Sequence, residues 1–296
     1  MFFSSVHRQL FQRTLINRGS KESAFFSGMY GKMIAMKTSD LLDRQNFRDL
    51  GGIPVKDGRS VRHGLFFRSG EIHVLPAEGV AELRSLNIRS VLDFRDAGSQ
   101  RRKADPDIGA RLIPYDKRTA RFGEHIDFSP VGFGKTGKAA EAQLESLYRY
   151  YVNMPYGYQA LHAMFDAVKN DEVPILIHCS KGKDRTGVAS MVLLLALGAE
   201  DDVILQDYMY SNISRKTQLD ERIREGRSIH PEDEGYLTLM YLREGVKEEI
   251  GRMILDNIHA TSGTAEQYMY EEYGWTEAEL NAVRDRYLEQ PGVEEE

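Results

Sequence analysis

The sequence predicts an α/β protein: a central, largely parallel sheet flanked by helices, a small N-terminal hairpin and a helical C-terminal part. Three observations lead there. Apolar runs of strand length, at residues 88–94 and 173–177, are separated by stretches whose apolar residues recur three and four apart, the spacing of one helix face. Such alternation suits parallel strands joined by crossover helices. From residue 186 onward the pattern turns helical. Composition is that of an ordinary globular chain, with 41% hydrophobic and 28% charged residues in 296, enough for one large domain.

Residues 1–39 stand apart. Their six lysines and arginines face Glu22 alone, so that, against a total of −6, the remaining chain carries −11. The segment lacks the continuous apolar stretch of a secretory signal, and its basic, serine-bearing composition faintly matches an organelle transit segment. We expect a basic extension without fixed structure, or a start codon placed ahead of a true start at Met33 or Met36. The folded domain is expected over residues 40–291, with 292–296 as a solvated acidic tail.

Within the domain, residues 53–55 and 61–67 flank Lys56-Asp57-Gly58-Arg59. Asp-Gly between apolar runs signals a hairpin. Pro76 suits the first turn of a helix whose Val80, Leu83 and Leu86 share a face. Residues 88–94 read as a buried strand ending in Asp93-Phe94-Arg95-Asp96, and 111–115 as a short one. Residues 116–138 carry four glycines and no period, so we expect an irregular segment and a candidate lid. Helices are expected over 139–151 and 156–168, with the tyrosines between 148 and 158 as packing. Residues 186–197 are apolar nearly all round and therefore a buried helix, which Gly198 ends. Glu200-Asp201-Asp202 opens the next, where acids suit the positive end of the dipole. Pro231 is expected to start one long helix with Leu239, Leu242, Val246, Ile250, Met253 and Ile254 on one side. Helices follow over 264–273 and 276–288, the latter opened by a Thr276–Glu279 capping box.

The chemistry concentrates in His178-Cys179-Ser180-Lys181-Gly182-Lys183-Asp184-Arg185-Thr186-Gly187, a turn between the 173–177 strand and the buried helix. The first amides of a helix lack partners, and the dipole there favours negative charge. Gly182 and Gly187 are expected to let the backbone turn its N–H groups inward. Arg185 can offer a two-pronged fork to a phosphate. The same field would lower the pKa of Cys179 toward the thiolate. A buried structural cysteine is the bland alternative, but an apolar core has little use for four charged neighbours around one thiol.

This ten-residue string resembles the active loop of the cysteine-dependent phosphatases, and in detail that of the bacterial tyrosine phosphatases whose loop reads Gly-Lys-Asp-Arg-Thr-Gly. Asn46-Phe47-Arg48-Asp49-Leu50-Gly51-Gly52, Phe67-Arg68-Ser69, Asp93-Phe94-Arg95, Asp207-Tyr208 and Ser211-Asn212 are similar to further family strings. The resemblance implies a cysteine-phosphatase-like fold and phosphoryl transfer through a cysteinyl phosphate, with no metal and no cofactor. Cys179 would be the nucleophile, a role that suits a thiolate. The loop amides of Ser180, Lys181, Gly182 and Lys183 with Arg185 would hold the oxygens. By the wider pattern His178 orients the loop and Thr186 donates to the sulfur. Trp275 is followed by Thr276 rather than by Pro-Asp, so the acid loop of many tyrosine phosphatases is missing. Asp184 is the first choice of general acid, with Asp116 and Asp127 next and Asp93 behind; Asp184 could instead only fix Arg185, and Asp93 only pair with Arg95. Lys183 is expected to contact phosphate or Asp184, and Lys181 and Lys183 at the rim would together favour polyanionic substrates such as phosphoinositides, unless Lys181 simply points into water.

The expected partners are therefore a phosphorylated protein or a phosphoinositide. The acidic total argues against nucleic acid, and no apolar run reaches the roughly 18 residues that span a bilayer. With Cys179 the only cysteine, no intramolecular disulfide can form, which suits a reducing, cytoplasmic compartment. Arsenate reduction wants a resolving thiol this chain lacks, and sulfur transfer does not need the Asp-Arg-Thr-Gly close. A silent phosphate-binding module would have little use for nucleophile, arginine and acid together.

Overall fold

The computed structural model describes residues 39–116 and 126–290. The N-terminal extension up to residue 38, the acidic tail and the middle of the candidate lid lie outside them. The chain begins with α1 (Asp40–Asp43), β1 (Arg48–Asp49), β2 (Ser60–Val61) and β3 (Phe66–Ser69). Next come α2 (Ala77–Ser85), β4 (Ser90–Asp93), α3 (Ala97–Arg102) and β5 (Arg111–Leu112). Then follow α4 (Pro130–Phe133), α5 (Gly137–Asn153), α6 (Gln159–Lys169), β6 (Ile175–His178) and α7 (Arg185–Leu197). The C-terminal part is α8 (Asp201–Ser214), α9 (Lys216–Ile229), α10 (Glu234–Glu244), α11 (Glu248–Ser262), α12 (Ala265–Tyr273), α13 (Glu277–Tyr287) and β7 (Leu288–Glu289).

The α/β expectation holds. A five-stranded sheet runs in the order β1-β3-β6-β4-β5, parallel except for β1 against β3. Strand side chains alternate between faces. Phe67, Leu176 and Val91 lie in one register row and enter a core with Leu42, Ile72, Leu83 and Ile108. Phe66, one residue away, faces the other side and packs edge-on against Tyr287 at 5.3 Å. The sheet is thus the middle of three layers. α7 fills the second face, every residue from Thr186 to Leu197 being buried, and left-handed Gly198 (φ 94°) closes it.

β6 is central, entered late in the chain between β3 and β4. Register puts Ser69, His178 and Asp93 in one row. The three segments that leave these carboxyl ends therefore meet, which is where ligands bind in open α/β sheets.

The expected hairpin forms: Val55 N donates to Arg59 O and Val61 N to Ile53 O, each at 2.9 Å, with Pro54 and Ser60 bridged antiparallel, and β2 pairs in addition with β7 at the far end of the chain. Two expectations need correction, and one helix was not foreseen. The 116–138 stretch is not irregular throughout, since Ser129 caps the short α4 and α5 already starts at Gly137. α9 was not foreseen, because it is largely charged and buries only Leu219 and Gly226. The single long helix after Pro231 is two, α10 and α11. At the break Asn212 accepts from Val246 N at 2.8 Å and donates to Val246 O at 2.9 Å, satisfying the backbone that a continuous helix would have paired.

Candidate active site

The loop from Cys179 to Asp184 joins β6 to α7. Its shape is set from behind. Gly182 has φ +68°, and a Cβ there would lie 2.5 Å from Ser69 C and 2.6 Å from Gly70 N, so only glycine fits against the end of β3. Carbonyls of the loop turn outward: Ser180 O accepts from Glu71 N at 3.2 Å, and Gly182 O from Asn46 Nδ2 at 2.9 Å and Arg68 Nη2 at 2.8 Å. Among the described residues no backbone carbonyl accepts from the amides of residues 180–184. Outward carbonyls and unpaired amides are the makings of an anion nest.

The props behind the loop form one buried network. Arg48 donates to Asp207 Oδ1 at 2.7 Å and to Asn46 Oδ1 at 2.7 Å. Fully buried Arg68 donates to Asp207 Oδ2, and Asn46 Nδ2 also donates to Ser211 Oγ at 3.2 Å. Burial pushes the Asp207 carboxyl up, but the two guanidinium groups outweigh it and hold the group below its ordinary value. Sequence reasoning gave these residues no role. Charged residues inside otherwise apolar strings, at Arg48, Arg68 and Asp207, were the available signal.

Cys179 is 2% exposed. Burial pushes its pKa up, yet the Arg185 charge and hydrogen bonds from the Thr186 hydroxyl and amide bring it below the ordinary thiol value. The Thr186 hydroxyl is buried without an aligned hydrogen-bond partner, and the group it acts on is the Cys179 thiol, whose pKa it lowers. Arg185 is anchored from the next strand over, Nη1 donating to Phe94 O at 2.6 Å. Burial works against its charge, but Cys179 and its neighbours raise its pKa above the usual guanidinium value.

The remaining loop residues are placed less simply. His178 is fully buried, with Nε2 3.0 Å from Asp105 Oδ2 and 3.8 Å from Asp93 Oδ1; neither ring nitrogen makes an aligned hydrogen bond. Asp93 is gripped by Arg95 through Nε at 3.0 Å and Nη2 at 2.8 Å, and Arg95 also holds Asp105 at 2.8 Å. Asp93, Asp105 and His178 bring ligand atoms within 4.8 Å of one another, but Arg95 already bridges both carboxylates. Asp93 is therefore placed as the partner of Arg95. Asp184 takes no cap bond on α7, and its side chain is 25% exposed beside Lys183 Nζ at 2.9 Å.

The two lysines are not rim cations. Lys183 is 2% exposed, its three donors going to Asp184, Leu242 O at 2.8 Å and Gly245 O at 3.0 Å. Lys181 Nζ donates to Glu244 Oε1 at 2.8 Å and Arg243 O at 2.5 Å, so it does not simply point into water. The break between α10 and α11 supplies these acceptors.

Other candidates have other surroundings. Asp127 accepts from Ser129 N at 2.9 Å, and Ser129 holds its carboxyl below the usual value, the wrong direction for an acid. Trp275 is a core residue, 2% exposed and edge-on to Phe165 at 5.5 Å. The tyrosines divide. Tyr148 bonds Glu249 at 2.9 Å and Tyr151 is buried, whereas Tyr150 and Tyr158 feel the charges of both Cys179 and Arg185. No helix among the described residues is long and apolar enough to cross a membrane.

Comparison with known proteins agrees with this geometry. A protein of Cupriavidus necator, provisionally named a tyrosine-protein phosphatase, is 33% identical over 168 residues, 56% of this chain and 60% of its own. The chain thus spans about three fifths of that relative. The triple specificity protein phosphatase PtpB of Mycobacterium tuberculosis is 30% identical over 211 residues, 64% of this chain and 74% of its own. The model of the tyrosine phosphatase family matches residues 40–289, nearly the whole described part, and the chain belongs to that family.

Proposed function

We propose that the chain is a protein-tyrosine phosphatase acting through a phosphocysteine. One observation carries this: Arg185 and Thr186 overcome the burial of Cys179 and lower its pKa at the mouth of a loop with unpaired amides. In this reading the Cys179 thiolate attacks phosphorus in line, the P–O bond to the substrate breaks, and water later cleaves the P–S bond. The amides of Ser180, Lys181, Gly182 and Lys183 with Arg185 hold the equatorial oxygens. Asp184, adjacent to Arg185 and not spent on capping, protonates the leaving oxygen and then activates water. His178 and Asp93 support the loop from beneath. No step calls for a metal or cofactor. A thiol that must stay reduced suits the cytoplasm.

The substrates are phosphorylated proteins, phosphotyrosine first. The triple specificity in the name of PtpB supports a substrate range wider than phosphotyrosine, and we infer phosphoserine and phosphothreonine as the further substrates. Phosphoinositides as the main substrate are disfavoured by the pairing of Lys181 and Lys183 described above. The test is aryl phosphate hydrolysis in a chelator, with acid-quench trapping of phosphocysteine. Cys179→Ser should abolish both, and turnover that survives the substitution rules the mechanism out. Asp184→Asn should slow a phosphotyrosine peptide more than a phosphate ester with an activated leaving group.

A further inference from the structure

Glu244 ends α10 beside the loop and is the meeting point of three cations. It accepts from Lys181 Nζ at 2.8 Å and Arg215 Nη2 at 2.5 Å, with Arg222 Nη2 at 3.9 Å. The carboxylate is 7% exposed, so solvent screens these contacts little. Burial pushes its pKa up, and Lys181 and Arg215 more than reverse this. Lys181 belongs to the loop itself, two residues after Cys179. Its amide is among those that would hold the transferred phosphoryl group. A lysine stem has several rotatable bonds, and a swing of that stem would carry the ammonium to a second anionic group on the same substrate. The Lys181 side chain is still 34% exposed, so its way to solvent is open. What holds it back is the Glu244 carboxylate and the Arg243 carbonyl, both presented by the end of α10.

We propose that Glu244 is a specificity-determining residue that withholds Lys181 from the substrate and thereby sets the loop for molecules with one phosphoryl group. This rests on the phosphatase reading. It adds that a vicinal bisphosphate, such as a doubly phosphorylated inositol, is discriminated against by sequestering a cation rather than by steric exclusion. Specificity achieved by denying a contact is as effective as specificity achieved by adding one.

The test is calorimetric titration of the full chain carrying Cys179→Ser, with inorganic phosphate and with a soluble inositol bisphosphate, with and without Glu244→Gln. The amide keeps the shape and removes the charge. Freed Lys181 should tighten the bisphosphate by about tenfold relative to inorganic phosphate, the worth of one charged hydrogen bond. Adding Lys181→Met to Glu244→Gln should take the gain away again. Where Glu244→Gln alone lowers the melting temperature by stranding Arg215, the pair Glu244→Gln/Arg215→Gln removes both charges and leaves Lys181 free. An unchanged ratio of the two affinities overturns the proposal, as does a gain that Lys181→Met does not reverse. Aryl phosphate turnover of the chain with Cys179 intact reports separately on the phosphatase reading, so its failure is not mistaken for failure here.

Discussion

Cys179 and Asp207 show how charge is handled one residue at a time in this molecule. Burial alone would raise the pKa of the thiol; Arg185 and Thr186 outweigh it and lower that pKa. The acid limb of kcat/KM should therefore lie below the ordinary cysteine range. Thr186→Val removes one of the lowering influences and should move that limb to higher pH, by about one unit if about 1.4 kcal/mol of stabilisation of the thiolate is lost. A pH–rate profile checks it, and an unmoved limb would separate Thr186 from the sulfur. Asp207 is the counter-charge for two buried guanidinium groups. Asp207→Asn leaves both uncompensated and should cost about 3–5 kcal/mol in denaturant unfolding. The pH sign follows from the same pairing. The folded carboxyl is below its unfolded value, so its stabilisation is full above the unfolded value, near 4. It is lost as pH falls through the folded one.

At the scale of elements, the loop depends on contacts from several segments distant in sequence. β1 and β3 bring Arg48 and Arg68, and α8 brings Asp207 and Ser211. The break between α10 and α11 brings the carbonyls that hold Lys183. Gly182→Ala tests the tightest of these joins. Its Cβ would meet the backbone of Ser69 and Gly70 at 2.5–2.6 Å, and its φ is one that non-glycine residues rarely adopt. Aryl phosphatase activity should fall by at least about a hundredfold, the cost of a misplacement near 1 Å, with far-UV circular dichroism little changed. Gly245 tests the helix break in the same way. A Cβ there would lie 2.9 Å from Asn212 Oδ1 and 3.0 Å from Leu219 Cδ1. Gly245→Ala should therefore destabilise by about 1–3 kcal/mol, read as a lower denaturant midpoint with unchanged slope.

For the molecule as a whole, the chain is closed near its C-terminus by β2 against β7, where Val61 and Leu288 are buried. Ending the chain after Tyr287 removes Leu288, uncovers Val61 and should lower stability by about 2–3 kcal/mol, measured as a fall in melting temperature. From the sequence alone, the α/β class, the buried α7, its stop at Gly198, the capping box at Thr276 and the ten-residue loop were all legible. Each rests on spacing, on glycine's access to positive φ, or on side chains adjacent in the chain. Neither the split of α10 from α11 nor the anchoring of Lys181 was legible, and of the partners of Lys183 only Asp184 was. Both depend on Asn212 and Glu244, brought to the break and to the loop by folding. The sequence by itself determined which chemistry is present: one thiol, one guanidinium and the turn that joins them. Only the tertiary structure decided which charges around that turn are spent on the scaffold, because a buried ion must take whichever partner the packed fold brings within reach.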